Sequence, residues 1–430
     1  MSIEHCGFIV VIKDIKPHPN ADRLELCYVF GNQVVVNKDV LKVGDLALYV
    51  PSDMQLGEEF CKENNLLRTD GGYLEKNRHV KAIRLRQEFS DGIILPLKSL
   101  SKFTDISTLM SGDRITVLNG FDIVKKYVPP MPVHVPGKTS NMKISNDHKL
   151  KQKYKYFAEH ADTKQLAYYA DTLKRGDEIV ITEKLHGTSQ RTSNTITTES
   201  VKRNIAQRAF DRLFKKEAPT VELYQYVSGT RRCILSDFNG GYYGNDEFRK
   251  GHHDRLLDKL HPGEEIFYEV VGYVNETTTI MPSQSNAKIG DKEFVRTFGD
   301  VTTFTYGCEP GQSEMYVYRM TATLPDGYVV EYPWDVVKLR CEQMGLNTVP
   351  ELDRFSYTTK EDLDARIDLL AERPSTVDSR HIMEGVCVRR NNSVTFDCLK
   401  WKNVSFRILE GLIKEQGVAD IEEQQSEQTE

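Results

Sequence analysis

Residues 181–189 read ITEKLHGTS, and this segment is the strongest signal in the sequence for the fold of the larger part of the chain. Its apolar start predicts a strand over 178–185 that carries Lys184 near its end, and Gly187 allows a sharp turn and a close approach of the backbone to a phosphate. A lysine must be neutral to attack phosphorus, so Lys184 needs neighbours or a metal ion that lower its pKa. Taken alone, the KxxG spacing is a weak signal that favours an ordinary lysine at the turn after a strand.

Five short segments downstream of Lys184 combine apolar strand residues with charged or aromatic ones. Glu269 offers oxygen acceptors to ribose hydroxyls, and Tyr318 offers a flat face on which an adenine can stack. Tyr316 alternates with Tyr318 and is expected on the same side of the strand. Each side chain also fits a structural role, as a solvated carboxylate or a core tyrosine. The segments are SGTRR (228–232), FYEVVG (267–272), YVYRM (316–320), EGVCV (384–388) and LKWK (399–402).

The last two segments place charges beside the expected phosphate. Glu384 precedes a glycine and an apolar strand, so its carboxylate is expected at a pocket rim, where it can hold a divalent cation through water. Lys400 and Lys402 alternate about Trp401, and both ammonium groups are therefore expected on one face of the strand. Two cations near Lys184 would lower its pKa. A solvated strand face is the alternative interpretation of the two lysines.

In this order, KLHG (184–187) and the five segments resemble motifs I, Ia, III, IIIa, IV and V of the covalent nucleotidyltransferases, which include DNA ligases, RNA ligases and capping enzymes. The resemblance implies that Lys184 carries a nucleotidyl group and that His186, Lys400 and Lys402 assist it. Of the two arginines in SGTRR, it favours Arg231 over Arg232 for a phosphate. It implies Mg²⁺ or Mn²⁺ at Glu384. The nucleotide-binding residues that it implies are Glu183, Lys184, Gly187, Arg231, Glu269, Tyr318, Glu384, Val386, Lys400 and Lys402.

His186 narrows the resemblance, because RNA ligases typically carry KxHG whereas DNA ligases and capping enzymes carry KxDG. After Lys402 the chain also leaves no room for the barrel that those enzymes place there. The segments DIKPHPNADRLELCYV, VGDLALYVPSD and VKAIRLRQEFSDGIILPL are similar to the N-terminal barrel of the Deinococcus-type, or fifth, RNA ligase family. One departure is Ser189, which stands where many RNA ligases have asparagine.

The N-terminal part of the chain predicts an all-β domain. Short apolar runs at 8–12, 46–50 and 91–97 alternate with turn signals, a pattern typical of an OB-type barrel. The fold class is therefore α+β, with this barrel followed by a nucleotidyltransferase (ATP-grasp-like ligase) domain of antiparallel sheets with packed helices. Because every nucleotide motif lies in the second domain, we expect its pocket to form without the barrel. The predicted divisions are the barrel (1–124), a Pro/Lys-rich linker (125–156), the catalytic domain (157–415) and an acidic disordered tail (416–430).

Composition limits the remaining classes. The formal net charge is −6, no apolar run is long enough to span a membrane, and the eight cysteines form no CxxC pair that would indicate a zinc site. The N-terminus lacks the pattern of a secretory signal, so we expect an intracellular, cytoplasmic protein. A monomer without membrane contacts is the predicted state. A basic amphipathic helix at 204–216 fits either RNA contact or a solvated face.

The predicted function is ATP-dependent ligation of RNA 3′-hydroxyl and 5′-phosphate ends through lysyl-AMP and RNA-adenylate intermediates. The expected substrate is a nicked or bridged RNA duplex, or an RNA–DNA hybrid, as in RNA repair. Two alternatives stay open. One is a capping-type guanylyltransferase, which would share Lys184 and the pocket. The other is a non-catalytic RNA- or tRNA-binding protein, against which the intact set of ionisable motif residues argues.

Overall fold

The computed structural model describes residues 5–128, 150–158, 160, 163–201, 220–231, 233–235, 238, 243–244 and 246–415. Four predicted features lie wholly or largely outside these residues: most of the linker, the basic helix at 204–216, Arg232 and the tail at 416–430. Among the described helices, none combines the length and the apolar character that crossing a bilayer requires.

Residues 5–128 form a domain of short, mostly antiparallel strands. In its central sheet β1 pairs with β5, and β5 pairs with β10. Ile9 of β1 enters one core with Leu48, whereas Phe8 and Val10 enter a second core with Tyr49. The sheet is thus buried on both faces, which explains its continuous apolar runs. The elements are β1 (Gly7–Val11), β2 (Ile15–Pro17), β3 (Leu24–Val29), β4 (Asn32–Asn37), β5 (Leu46–Val50), β6 (Met54–Leu56), α1 (Glu58–Glu63), β7 (His79–Val80), β8 (Ala82–Leu85), β9 (Glu88–Asp91), β10 (Ile93–Pro96), β11 (Arg114–Ile115), β12 (Val117–Leu118), β13 (Phe121–Asp122) and β14 (Val124–Lys126).

This first domain extends beyond its predicted end at residue 124. Strand β14 continues to Lys126 and pairs with β6. Tyr127 is buried, and its backbone N–H donates to the Asp53 carbonyl at 3.0 Å. Lys125 and Lys126, which the sequence assigned to the linker, therefore belong to the first domain.

The second domain consists of two main sheets and several helices. One sheet has the strand order β15-β29-β28-β16-β27, and the other has β19-β18-β17-β20-β24-β25 with β21 and β26 beside it. The elements are β15 (Lys164–Gln165), α2 (Leu166–Tyr169), β16 (Glu178–Lys184), β17 (Thr188–Ser200), β18 (Thr220–Gly229), β19 (Ile234–Leu235), α3 (Glu247–Leu256), β20 (Glu264–Asn275), β21 (Thr278–Thr279), β22 (Gln284–Ser285), α4 (Lys292–Phe298), β23 (Val301–Thr302), β24 (Ser313–Thr323), β25 (Val329–Glu331), α5 (Trp334–Met344), β26 (Asn347–Thr348), β27 (Glu351–Ser356), α6 (Lys360–Leu370), β28 (Gly385–Arg390), β29 (Cys398–Lys402) and α7 (Val404–Glu415).

The chain crosses from one sheet to the other within the KLHG segment. Strand β16 ends at Lys184 in the first sheet, and β17 begins at Thr188 in the second. Lys184 therefore lies where the two sheets meet.

Strands predicted from apolar patterns are confirmed at β16, β20, β24, β28 and β29. Apolar residues that recur every three or four positions also predict helices at 334–345 and 361–373, and α5 and α6 confirm them. Strand β17, helix α3 and helix α7 were not predicted. The sequence of β17, TSQRTSNTITTES, lacks apolar alternation, although most of its described side chains are buried. The hydroxyl of Thr192 finds partners inside the sheet, because its Oγ1 lies 2.6 Å from Ser228 Oγ and 3.0 Å from the Tyr268 hydroxyl. Hydrogen bonds thus replace apolar contacts in this strand.

Arg191 of β17 provides a test of this polar interior. Its guanidinium donates to Glu265 Oε1 at 2.8 Å and to the Thr230 carbonyl at 2.9 Å, and it stacks on Phe157 at 3.7 Å from the ring centroid. Arg191→Leu leaves the buried Glu265 carboxylate without its cation, so we expect it to lower the free energy of unfolding by about 3–5 kcal/mol, measured by urea denaturation. The double variant with Glu265→Leu is expected to recover a large part of this loss. Equal stability of Arg191→Leu and the unaltered protein would show that the buried ion pair between Arg191 and Glu265 does not stabilise the fold.

Candidate functional site

Three strands of the first sheet bring the predicted lysines together. Lys184 of β16 pairs with Gly385 of β28, and Gly385 pairs with Lys402 of β29. Directly paired residues project from the same face of an antiparallel sheet. Lys400 lies two positions before Lys402 and so shares that face. The structure thus places Lys184, Lys400 and Lys402 on one face, as the sequence predicts.

The same register puts Glu183 and Val386 on the opposite face. Val386 is buried in an apolar core with Ile181 and Leu399. The Glu183 carboxylate accepts hydrogen bonds from Ser375 Oγ at 2.5 Å and from the Thr376 backbone N–H at 3.0 Å. These two side chains therefore point away from the lysines. Contact of Glu183 and Val386 with a nucleotide remains a prediction. A nucleotide bound on the lysine face could reach only the backbone atoms of these two residues.

Glu384 is the central carboxylate of the site. It is 1% exposed, and its Oε1 lies 2.8 Å from Lys184 Nζ and 3.2 Å from Lys402 Nζ. Burial favours the neutral acid, but the charges of Lys184 and Lys402 outweigh it and lower the pKa of Glu384. The Glu384 side chain is therefore a carboxylate that bridges two ammonium groups.

The pKa of Lys184 is shifted in the direction opposite to the sequence-based expectation. Burial favours the neutral amine, but the carboxylates of Glu384 and Glu269 outweigh burial and raise the pKa of Lys184. The expectation took into account only the neighbouring cations Lys400 and Lys402. It missed the direct contact between Lys184 and Glu384, whose Oε1 lies 2.8 Å from Lys184 Nζ. Lys184 is thus held as an ammonium ion by the protein alone.

The other oxygen of Glu384 fits a divalent cation. Glu384 Oε2 is buried, has no hydrogen-bond partner among the described residues, and lies 3.8 Å from His186 Nδ1. Within the described part of the chain, no group of three or more carboxylates, imidazoles and thiols could enclose a metal ion. A single carboxylate suits Mg²⁺ or Mn²⁺, which can keep water and substrate phosphates as further ligands.

Two hydrogen bonds fix the turn between the sheets. The Gly187 N–H donates to Glu269 Oε1 at 3.0 Å, and the His186 N–H donates to the Tyr306 hydroxyl at 2.6 Å. A Cβ atom at residue 187 would lie 2.3 Å from the Val270 carbonyl oxygen, so only glycine fits. Tyr306 was not identified from the sequence, since it lies in a loop outside all motifs.

The His186 ring lies in an aromatic cage. Its centroid is 4.8 Å from those of Phe304 and Phe406, in edge-on contact with both. Burial lowers the pKa of His186 to about 4, so the imidazole is neutral near pH 7. The structure therefore places a neutral imidazole beside Glu384.

The second sheet supplies the side of the site predicted to bind the nucleoside. Ser189 of β17 pairs with Glu269 of β20, and the Ser189 hydroxyl lies 3.3 Å from that of Tyr318 on β24. Arg249 of α3 is buried and donates to the Ser189 carbonyl at 3.1 Å and to Thr188 Oγ1 at 2.6 Å. Gly187, Ser189, Glu269 and Tyr318 therefore lie together. Arg249 was missed because a lone arginine on a polar helix carries no sequence signal.

Arg231 lies at the edge of this region. Its carbonyl accepts a hydrogen bond from the His160 N–H at 3.0 Å, and the His160 ring lies 6.0 Å from that of Tyr318. Its predicted contact with a phosphate remains a prediction, and Arg232 lies outside the described residues.

Helix α7 adds a residue that the motifs did not include. Both carboxylate oxygens of Glu410 lie 2.7 Å from Lys402 Nζ. Lys402 is thus held between Glu384 and Glu410. The motif V match ends at Lys402, so the helix that follows it gave no signal.

Comparison with known proteins supports this architecture. An RNA ligase family model matches residues 177–402, and an OB-fold domain model matches residues 8–97. The predicted fold, an N-terminal OB-fold domain followed by an α+β domain of antiparallel sheets and helices, is confirmed. No curated protein sequence matches this chain significantly.

Solved structures of an RNA ligase from Naegleria gruberi share the fold. A mutant of that ligase with ATP and Mn is 14% identical, with a TM-score of 0.60 over 94% of this chain and 98% of the other. A second mutant, with AMP and Mn, is 15% identical, with a TM-score of 0.60 over 94% and 98% of the two chains. The ligase with PPi is 15% identical, with a TM-score of 0.59 over 94% and 97%. At this level of identity the likeness shows a common fold.

The ion pair between Lys184 and Glu384 can be tested without substrate. Glu384→Gln removes the charge that raises the pKa of Lys184, so we expect modification of Lys184 by an amine-reactive reagent to begin at lower pH. Peptide mass spectrometry across a pH series measures this onset. Glu361→Gln, on the distant helix α6, serves as the matched control and should leave the onset unchanged. An unchanged onset in Glu384→Gln would show that the pair does not control the charge of Lys184.

Proposed function

Because the chain belongs to the RNA ligase family, whose model covers residues 177–402, we propose that it joins RNA 3′-hydroxyl and 5′-phosphate ends in an ATP-dependent reaction through a covalent adenylate on Lys184. One observation carries the proposal. Lys184 Nζ lies at the junction of the two sheets, 2.8 Å from the buried Glu384, while Lys402 approaches the same carboxylate from the other side. Tyr318 and Glu269 flank this centre on the second sheet.

In the first step, Lys184 Nζ forms a bond to the α-phosphorus of ATP, the bond to the leaving pyrophosphate breaks, and the amine loses a proton. Lys400 and Lys402 would balance the charge that develops on the phosphate oxygens. Tyr318 would stack on the adenine, and the Glu269 carboxylate, oriented by the Gly187 N–H, would accept from ribose hydroxyls. Bound divalent metal would supply further charge neutralisation beside Glu384.

The raised pKa of Lys184 has a consequence for this step. Lys184 must lose its proton before attack, and the carboxylate of Glu384 opposes this loss. Any cation that engages Glu384 weakens its pull on the ammonium group. Glu384 therefore links metal binding to activation of the nucleophile.

Two further steps complete the proposed reaction. The 5′-phosphate of the RNA attacks the lysyl-AMP, which breaks the nitrogen–phosphorus bond and frees Lys184. The RNA 3′-hydroxyl then attacks the adenylylated 5′ end, a phosphodiester forms, and AMP leaves. We propose positioning of the two ends as the main contribution of the protein to this last step.

ATP with Mg²⁺ or Mn²⁺ is the proposed cofactor set. The structures of the Naegleria ligase with ATP and Mn and with AMP and Mn support it, as does the single carboxylate at the centre of this site. Membership of the Deinococcus-type subfamily, action on nicked or bridged duplexes in RNA repair, a cytoplasmic location and a monomeric state are narrower proposals. The first rests on the N-terminal segments given above, and the second rests on the KLHG segment.

Lys184→Ala is expected to abolish covalent labelling by α-labelled ATP in the presence of Mg²⁺ or Mn²⁺, because it removes the attacking amine. The label on the unaltered protein should be stable to base and labile to acid, as expected for a phosphoramidate, and labelled GTP should give none. Lys174→Ala removes an exposed lysine and is the matched control. Labelling of Lys184→Ala at the level of the control would refute the proposal, and labelling by GTP alone would favour a guanylyltransferase.

His186 is proposed to serve the transfer of AMP to RNA. Its neutral ring can donate one hydrogen bond toward the phosphate, and the lysines already serve the first step. In single-turnover assays that start from preformed enzyme-AMP, we expect His186→Ala to slow transfer by about a hundredfold, as for loss of one preorganised donor. Self-adenylylation should be largely retained. Because the pKa of His186 is about 4, no inflection from this group is expected between pH 6 and 8. Normal transfer of AMP together with impaired self-adenylylation would show that His186 acts in the first step and that our assignment to the transfer step is wrong.

A further inference from the structure

Helix α7 connects the lysine site to the N-terminal OB-fold domain. Successive positions of the helix contact three different parts of the molecule. Phe406 packs on the His186 ring at 4.8 Å between centroids, and Glu410 binds Lys402 Nζ at 2.7 Å. Arg407, which lies between them in the sequence, contacts the OB-fold domain. The helix thus joins motif I, motif V and the first domain.

Arg407 makes two kinds of contact at once. Its Nε and Nη2 atoms donate to the Lys402 carbonyl at 3.1 and 3.0 Å. Its Nη1 atom donates to Asp91 Oδ2, at the end of β9 in the OB-fold domain, and approaches Asn32 Oδ1 at 3.4 Å. One planar guanidinium therefore spans from a barrel carboxylate to the backbone of a predicted catalytic lysine. Arginine suits this arrangement because its donors are fixed in one plane.

Asp91 is itself held by the barrel. It is 3% exposed, and its other oxygen, Oδ1, accepts from Ser52 Oγ at 2.6 Å. A carboxylate held in this way cannot follow Arg407 if the helix shifts. Removal of either partner would leave a buried charge without its counterion, which is costly. The contact therefore constrains where β29 ends and where α7 begins.

Further contacts hold the two domains in the same relative position. Arg84 of β8 lies 3.0 Å from Asp291, the residue that caps α4. Tyr168 of α2 packs on Phe8 of β1 at 4.6 Å between ring centroids. Because β15, directly before α2, pairs with β29 at Lys400, these contacts also converge on the strand that carries the two lysines.

We propose that Asp91 of the OB-fold domain is a positioning residue for adenylylation of Lys184, acting through Arg407 on Lys402. The path runs from Asp91 to Arg407, from Arg407 to the Lys402 carbonyl, and from Lys402 Nζ to Glu384 and Lys184. The OB-fold domain then acts in the first chemical step, before any RNA is bound. This inference rests on the proposed function of Lys184, and it replaces the sequence-based expectation that the pocket forms independently of the barrel.

A shift of Lys402 would affect the rate of adenylylation differently from ATP binding and from folding of the protein. Lys402 is proposed to act on the α-phosphate, whereas adenosine recognition is assigned to Glu269 and Tyr318. Misplacement of Lys402 should therefore lower the maximal rate of lysine adenylylation and leave the ATP concentration for half-maximal rate nearly unchanged. A purely structural role of Asp91 would instead lower the fraction of active protein, which appears as a smaller amplitude at an unchanged rate.

The experiment measures single-turnover adenylylation of the full chain with labelled ATP and Mn²⁺, without RNA. Asp91→Asn keeps the size of the side chain and removes its charge. We expect its maximal rate to fall about tenfold or more, because the remaining hydrogen bond from Arg407 no longer joins two charged groups, with half-saturation within about twofold of the unaltered protein. Asp105→Asn is the matched control, because Asp105 is exposed in the same domain and its side chain bonds Ser107. It should react at the unaltered rate.

Arg407→Lys provides the second arm if Asp91→Asn does not fold. A lysine keeps a cation for Asp91, but one ammonium group lacks the planar set of donors that joins the carboxylate to the Lys402 carbonyl. We expect full amplitude and a reduced maximal rate. An unaltered maximal rate in Arg407→Lys, or in folded Asp91→Asn, would overturn the inference. If the unaltered protein itself forms no adenylate, the proposed function fails instead.

Discussion

The bridge from Glu384 to Lys184 and Lys402 is the interaction on which the rest of the site depends. Lys184 and Lys402 lie on either side of Gly385 on one sheet face, where their ammonium groups repel each other, and removal from water increases that repulsion. Glu384, with Oε1 at 2.8 and 3.2 Å from the two nitrogens, compensates both. Glu410 adds a second carboxylate at Lys402. The two lysines and two carboxylates together carry no net charge, so the cluster can be buried and still present cations to a phosphate.

This compensation also explains how the site is prepared for an anionic substrate. The buried carboxylate holds both lysines in place, and in doing so raises the pKa of the proposed nucleophile. If Lys184 is the nucleophile, as we propose, a cation that shared the charge of Glu384 would favour loss of the Lys184 proton.

The surrounding fold holds the two sheets in a fixed position relative to each other at this junction. The KLHG turn is fixed from the second sheet by Glu269 and from a loop by Tyr306. In the polar strand β17, Thr192 and Arg191 hydrogen-bond to neighbouring strands, and these directional contacts help to fix the position of the strand. Helix α7 then extends the same network to the OB-fold domain through Arg407. The two domains thus share one electrostatic network.

Alternation and motif spacing are local properties, and they were enough to predict the order of the domains, most strands with apolar patterns and the lysines that share a face. The sequence also identified Glu384, Glu269 and Tyr318. The charge of Lys184 and the neutral state of His186 became apparent from the tertiary structure alone. The same holds for the orientation of Glu183 and Val386, away from the lysines. The contacts of four further residues were also visible only there: Arg249, Tyr306, Arg407 and Glu410. The physical reason is that pKa values and hydrogen-bond partners depend on distances between residues far apart in the chain. Strand register and burial set those distances, and no local pattern encodes them.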